Sequence, residues 1–291
     1  MDYPDTVGEL TGILHQGGYL ADRGLATALF VGLSLHRPVL LEGEVGVGKT
    51  EVAKVMADVF GRRLIRLQCY EGIDTSQALY EWDYARQMLY IRALSERQVA
   101  EDEAVDKVFG PRFLLERPLL DAVRAGDQAV LLIDEVDRAD DEFEAFLLEV
   151  LSDFQITIPE IGTIKAERPP LVLLTSNRTR ELHDALKRRC LYHWIGYPPP
   201  EREVEIVLVR APGVSQALAG KVVAAVNRLR EMELAKPPGV AETIDWVRTL
   251  DFLGETELGT EVAGDTLGAV VKERDDLELV RDNLEEITSG G

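Results

Sequence analysis

The chain has 291 residues, enough for one large domain or two modest ones with their own cores. Its 46% apolar content excludes a disordered chain, and a formal charge of −20 sets the surface as a whole against nucleic acid and anionic membrane, which favours protein partners. No run approaches eighteen uninterrupted apolar residues, the start Met1-Asp2-Tyr3-Pro4-Asp5 lacks a signal-peptide pattern, and Cys69 and Cys190 stand far apart without ligand spacing. These features predict a cytoplasmic protein with neither a membrane span nor a zinc site.

Strand-length apolar runs recur at 39–41, 64–67, 130–133, 171–175 and 191–195, mostly with helical patterns between them, the rhythm of a parallel α/β sheet of five strands. Phe143, Phe146, Leu147, Val150 and Leu151 repeat at three- and four-residue steps and predict a helix over 141–154. Two segments exceed a minimal α/β core. Residues 80–92, crowded with aromatics, and 155–165, alternating around Glu160–Gly162, both read as inserted β-hairpins. Tyr197-Pro198-Pro199-Pro200 is a rigid stretch that predicts a boundary between an α/β domain over 1–196 and an α-helical domain over 201–291. Helices are expected over 201–209, 215–233 and 240–253, followed by an acidic tail from Asp275.

Gly43-Glu44-Val45-Gly46-Val47-Gly48-Lys49-Thr50 fits GxxxxGK[ST] with a strand before it and a helix after it, the context a phosphate-binding loop requires. Glycines there let backbone N–H groups curl around phosphates at a helix N-terminus. Lys49 would reach the β- and γ-phosphates of ATP and the Thr50 hydroxyl would ligate Mg²⁺, with Glu51 part of the same nucleotide-binding stretch. The bland alternative is a glycine-rich turn.

Val130-Leu131-Leu132-Ile133-Asp134-Glu135 is an apolar strand ending in two acids, and a buried carboxylate is expensive without a cation or a base function. Asp134 would hold Mg²⁺ and Glu135 would act as general base toward water; an exposed acidic loop is the alternative. A second buried strand ends in Asn177, placed to orient that water or touch the γ-phosphate, although Asn at a strand end also forms turns.

Together these residues resemble the AAA+ ATPases, with Gly43 to Thr50 as Walker A, Asp134 and Glu135 as Walker B and Asn177 as sensor 1. Within them, Asp134-Glu135-Val136-Asp137-Arg138-Ala139, Leu147-Leu148-Glu149-Val150-Leu151 and the second hairpin are similar to MoxR-type ATPases. Tyr80-Glu81-Trp82, Arg86-Gln87, Arg117-Pro118-Leu119-Leu120 and Pro238-Gly239-Val240-Ala241-Glu242-Thr243 are closer still to the maturation ATPases of carbon monoxide dehydrogenase gene clusters. The resemblance implies a five-stranded AAA+ domain with a C-terminal helical lid, a homo-oligomeric ring of six, and ATP-driven remodelling of a client. That client would be a metalloenzyme, most directly molybdenum- and copper-containing carbon monoxide dehydrogenase, with a von Willebrand factor A-domain adaptor.

It also implies an arginine finger acting on a neighbouring subunit's ATP, at Arg189 with Arg188 as second choice; a basic helix end is the alternative. At the sensor 2 position, 239–244, there is no arginine, and Arg248 comes one turn later. The aromatics Trp82, Tyr84 and Tyr90 pack inside their insert or grip a client. His15, His36, His183 and His193 share no ligand spacing. A nucleic-acid motor and a small-molecule kinase are the competing readings of the same loop. The charge speaks against the first, and the lid and the Arg188-Arg189 pair against the second.

Overall fold

In a computed structural model, which describes residues 3–95 and 108–288, the chain divides into two compact units. One takes in the described residues of 1–13, 22–42 and 52–193, the other those of 14–21, 43–51 and 194–291.

Nine strands run in chain order among the described residues: β1 (Val39–Gly43), β2 (Arg63–Gln68), β3 (Tyr80–Trp82), β4 (Leu114–Glu116), β5 (Ala129–Asp134), β6 (Gln155–Ile158), β7 (Gly162–Lys165), β8 (Leu171–Ser176) and β9 (Leu191–Ile195). Five of them form the main sheet in the order β2-β5-β8-β1-β9. β2 runs parallel to β5, β5 to β8, and β8 to β1. The three central strands are buried along their whole length, as Val/Leu/Ile runs covered on both faces must be, whereas the edge strands β2 and β9 alternate. Register sets Glu42 beside Ser176 and Gln68 beside Asp134, so the chemistry-bearing residues gather at the carboxyl edge of the sheet.

The helix Asp141–Asp153 starts on Asp140, whose carboxylate accepts from Phe143 N at 2.8 Å, and ends at left-handed Phe154. It sends Phe143, Leu147, Val150 and Leu151 into the core under the sheet. Strands β6 and β7 form the expected antiparallel hairpin.

The other expected hairpin does not form. β3 pairs antiparallel with β4, well further along the chain, and not with its own continuation. The Asp83 carboxylate accepts from Arg86 N at 2.9 Å and launches a helix over Tyr84–Ser95 instead. An N-cap aspartate followed by apolar residues at 84, 88 and 91 is a helical signal that the density of aromatics hid.

The second unit is helical beyond β9, with Pro200–Arg210, Gln216–Glu231, Val240–Phe252, Thr260–Thr266, Arg274–Asp282 and Leu284–Thr288. They enclose a separate core around Trp246, Val222, Val226 and Leu250. The segment from Asp275, expected as an acidic tail, is folded: Val280 and Ile287 are buried in this core while its acids mostly face outward, the amphipathic solution for a charge-rich helix. Within the unit, the Arg230 guanidinium forks onto the fully buried Glu203 at 2.7 and 2.8 Å, donates to Pro238 O and stacks over the Tyr197 ring.

Candidate nucleotide and catalytic residues

The second unit carries the glycine-rich loop. It leaves β1 at Gly43 and enters the helix Lys49–Val59, whose first residues are Lys49, Thr50 and Glu51. Gly46 is left-handed (φ 78°), and a Cβ there would lie 2.7 Å from Glu242 Oε2 and 3.0 Å from Gly239 Cα. A Cβ on Gly43 would collide with Ile195 O at 2.0 Å. Only glycine fits either position. The Gly46 carbonyl accepts from Ala241 N at 3.1 Å, which fixes the loop against the start of the helix Val240–Phe252. Lys49 is buried, and its Nζ donates to Gly43 O at 2.8 Å and Glu44 O at 2.5 Å. Val47 is also buried, whereas Glu44 and Val45 are exposed at the crest of the loop. A cation held under a turn of backbone amides at a helix N-terminus is an anion cradle, and the chemistry of these donors fits a triphosphate.

The first unit carries the acidic pair. The Asp134 side chain is 4% exposed at the end of β5. Its Oδ1 accepts from Thr175 Oγ1 at 2.5 Å, and its Oδ2 accepts from Arg66 Nε at 3.0 Å and Nη2 at 2.6 Å. Glu135 follows in the left-handed region (φ 54°, ψ 49°), a conformation that costs a non-glycine residue about a kcal/mol or more and is kept only where the surroundings impose it. Its N–H donates to the same Thr175 hydroxyl at 2.9 Å, and its carboxylate, partly exposed, meets Arg138 at 3.1 Å. Burial raises the Cys69 thiol to about 12, and the nearby carboxylates of Asp134, Asp137, Glu135 and Glu144 push in the same direction.

Asn177 is half-buried just past β8. Asp137, 2% exposed, holds this turn: its Oδ2 accepts from Asn177 N at 3.2 Å, Thr179 N at 2.8 Å and Thr179 Oγ1 at 2.7 Å. Sequence reading gave no role to Asp137, to Thr175 or to Arg66. For Thr175 the signal available was polarity near the end of an otherwise apolar strand, which marks a position without naming its partner; Asp137, past the end of β5, and Arg66, within edge strand β2, carried none.

Arg188 and Arg189 end the helix Asp184–Arg189, and both are exposed. Their carbonyls accept from the Arg37 guanidinium, and the Arg189 side chain bonds the Ser152 hydroxyl of its own chain. In the second unit Arg248 donates to Arg210 O at 2.7 Å, while Arg210 pairs with Glu51 at 2.9 Å. A cation of the C-terminal helical region, Arg210, thus reaches the residue after Thr50, a position the sequence did not suggest.

No helix among the described residues is long and apolar enough to cross a membrane, and none of their His, Cys, Asp and Glu side chains cluster as a metal site by themselves.

Among known proteins, the chain is 30% identical over 217 residues to the chaperone MoxR1 of Mycobacterium tuberculosis, covering 72% of this chain and 49% of that one. It is 27% identical to the gas vesicle ATPase GvpN2 of Halobacterium salinarum over 87% of this chain and 74% of the other. The chain thus spans about half the length of the first relative and about three quarters of the second. The structure superposes on a point mutant of Thermotoga maritima RuvB with a TM-score of 0.52 at 18% identity, over 100% of this chain and 82% of that one, a likeness of fold. The model for the AAA domain of the dynein-related subfamily matches residues 38–190, more than half of the chain and the whole span from β1 to the end of the helix that carries Arg188 and Arg189, so the chain belongs to the AAA domain family.

Proposed function

We propose that this protein binds ATP with Mg²⁺ and hydrolyses it to remodel a partner protein. The observation that carries the reading is the acidic pair. A buried aspartate and a left-handed glutamate are both held by the one Thr175 hydroxyl, so Glu135 is fixed and partly open to solvent while Asp134 is fixed and shielded. Those are the environments that a base and a cation-holding carboxylate need.

In this reading Gly43, Glu44, Val45, Gly46, Val47 and Gly48 supply the backbone cradle, Lys49 gives charge to the phosphates, Thr50 and Asp134 hold Mg²⁺, and Glu51 belongs to the same nucleotide-binding stretch as Thr50. When bound, Mg²⁺ neutralises phosphate charge and fixes the triphosphate. Glu135 takes the proton of the attacking water, and Asn177, anchored by Asp137, orients that water or the γ-phosphate. Arg189, or Arg188 in its place, reaches the γ-phosphate of a second copy in a ring, read as a hexamer.

The chaperone and ATPase relatives support a client-directed ATPase, and the sequence pattern is what places it in the cytoplasm in this reading. The finer reading, that the client is a molybdenum- and copper-containing carbon monoxide dehydrogenase reached through a von Willebrand factor A-domain adaptor, rests on the motif resemblance. The division into an α/β domain over 1–196 and a lid over 201–291 is likewise the reading that suits such a machine.

The test separates binding from turnover. Lys49→Ala is expected to weaken binding of a fluorescent ATP analogue, whereas Glu135→Gln is expected to bind it normally and lose turnover by about 10²-fold or more. Normal hydrolysis by Glu135→Gln would remove the base assignment.

A further inference from the structure

Arg66 has no part in the nucleotide chemistry so far, yet its guanidinium lies directly on the aspartate of the acidic pair. It lies on edge strand β2, whose Ile65 and Leu67 go into the core, so Arg66 and Gln68 stand together on the opposite face. Gln68 is in register with Asp134 and Arg66 with Leu132, which makes Arg66 the diagonal cross-strand neighbour of the aspartate. Both Nε and Nη2 converge on Asp134 Oδ2, while Thr175 donates to the other oxygen. The two partners differ in freedom: the Arg66 side chain is 53% exposed and that of Asp134 4%.

A carboxylate this buried needs a compensating cation in the folded protein, whatever else is bound. A guanidinium on Oδ2 supplies it but also stands where a divalent ion would draw on the same charge, and two cations repel at that range. Asp134 cannot yield, because it is fixed by its strand and by Thr175. Arg66 can: its stem is long and solvated, and its Nη2 already donates to Gln68 Oε1, a neutral acceptor that keeps the guanidinium partly satisfied away from the carboxylate.

We propose that Arg66 is a resident stand-in cation for Asp134, which holds the carboxylate in place without Mg²⁺ and is displaced as Mg²⁺ arrives with nucleotide. The inference rests on reading Asp134 as a Mg²⁺-holding side chain. Its consequence is a built-in threshold: the protein needs more Mg²⁺ to load nucleotide than it would without the arginine, and Asp134 does not collapse between cycles.

Two measurements test it. In a thermal-melt cycle with chelator present, Arg66→Gln is expected to lower the melting temperature in the native background and to have a smaller effect when Asp134 is already Asn. Separately, in Mg²⁺ titrations with a fluorescent ATP analogue, Arg66→Gln is expected to lower the Mg²⁺ concentration at half-saturation by about threefold or more, and Arg66→Lys by less, since a lysine keeps the charge but loses the fork. An unchanged or raised midpoint in a chain that binds nucleotide would reject the stand-in role and leave Arg66 a mere strut. Equal melting losses in both backgrounds would reject the ion pair itself. A native chain that shows the melt coupling but no Mg²⁺-dependent nucleotide binding would reject the ATP reading, and the displacement with it, while leaving the pair intact.

Discussion

Thr175 Oγ1 donates to Asp134 Oδ1 at 2.5 Å, and the same oxygen accepts the Glu135 N–H at 2.9 Å. One hydroxyl on β8 therefore fixes the carboxylate of one acid and the backbone of the next, and the left-handed turn at Glu135 is held from a neighbouring strand. Thr175→Val keeps the shape and removes both bonds. With a buried carboxylate oxygen and an amide left short of a partner, a stability loss of about 1–3 kcal/mol is expected. ATP turnover is expected to fall by about tenfold or more, because Glu135 loses the contact that fixes its backbone. Thr175→Ser should recover most of both. Melting curves and steady-state turnover read the two effects, and a valine variant with native turnover would show that the hydroxyl is only structural.

The same residues show how much was legible beforehand. All five sheet strands could be read from their apolar runs, most plainly the three central ones, which are buried on both faces and admit little else. The glycine-rich loop and the acidic pair could also be read, because each has a fixed local spacing. Thr175, Asp137 and Arg66 could not be given roles, since each acts across strands or turns through a partner 40 to 68 residues away. The 80–92 segment was misread for another reason: aromatic content outweighed a single N-cap at Asp83, and the true partner of β3 lay beyond the next helix.

That correction changes what the aromatics of the segment are expected to do. Trp82 is buried edge-on against Tyr80 and Phe109, and Tyr90 packs on Phe113 under the Arg112 guanidinium. Tyr84 is 64% exposed. Trp82→Ala is expected to destabilise by about 3–5 kcal/mol, as large-to-small core changes do, while Tyr84→Ala leaves the melting temperature nearly unchanged. Equal and small effects from both would return Trp82 to the surface contacts.

The finger assignment makes a prediction about mixtures. Arg189→Ala should lower hydrolysis by about 10³-fold with ATP affinity nearly intact, and mixing it with Lys49→Ala protein should restore activity at hybrid interfaces. Arg37 caps the carbonyls of both Arg188 and Arg189, so Arg37→Ala should reproduce a weaker form of the same defect. Sedimentation of a fully active monomer in the presence of ATP would sink the action in trans.

The two cysteines give a prediction in which pH has a definite sign. Burial raises the Cys69 thiol from 9.0 to about 12, reinforced by Asp134, Asp137 and Glu135, and raises Cys190 to about 12 against a small opposing pull from Arg37. Because the folded values lie above the unfolded ones, the folded state holds these protons more tightly. The stability this contributes is complete below pH 9 and is lost as pH climbs toward 12, where the unfolded chain has already shed its protons. Two measurements follow. Near about pH 8, a disulfide reagent should find no reactive thiol in the folded protein and both once it is unfolded, since the thiolate is the nucleophile and neither site is solvated. A Cys69→Ala and Cys190→Ala variant should melt lower at neutral pH, because it leaves two small voids, yet it should lose less stability than the native chain between about pH 9 and 11. Parallel alkaline profiles for the two proteins would mean that other groups carry the whole of the alkaline loss, and rapid labelling of Cys69 in the folded state would mean that the thiol itself is open to solvent.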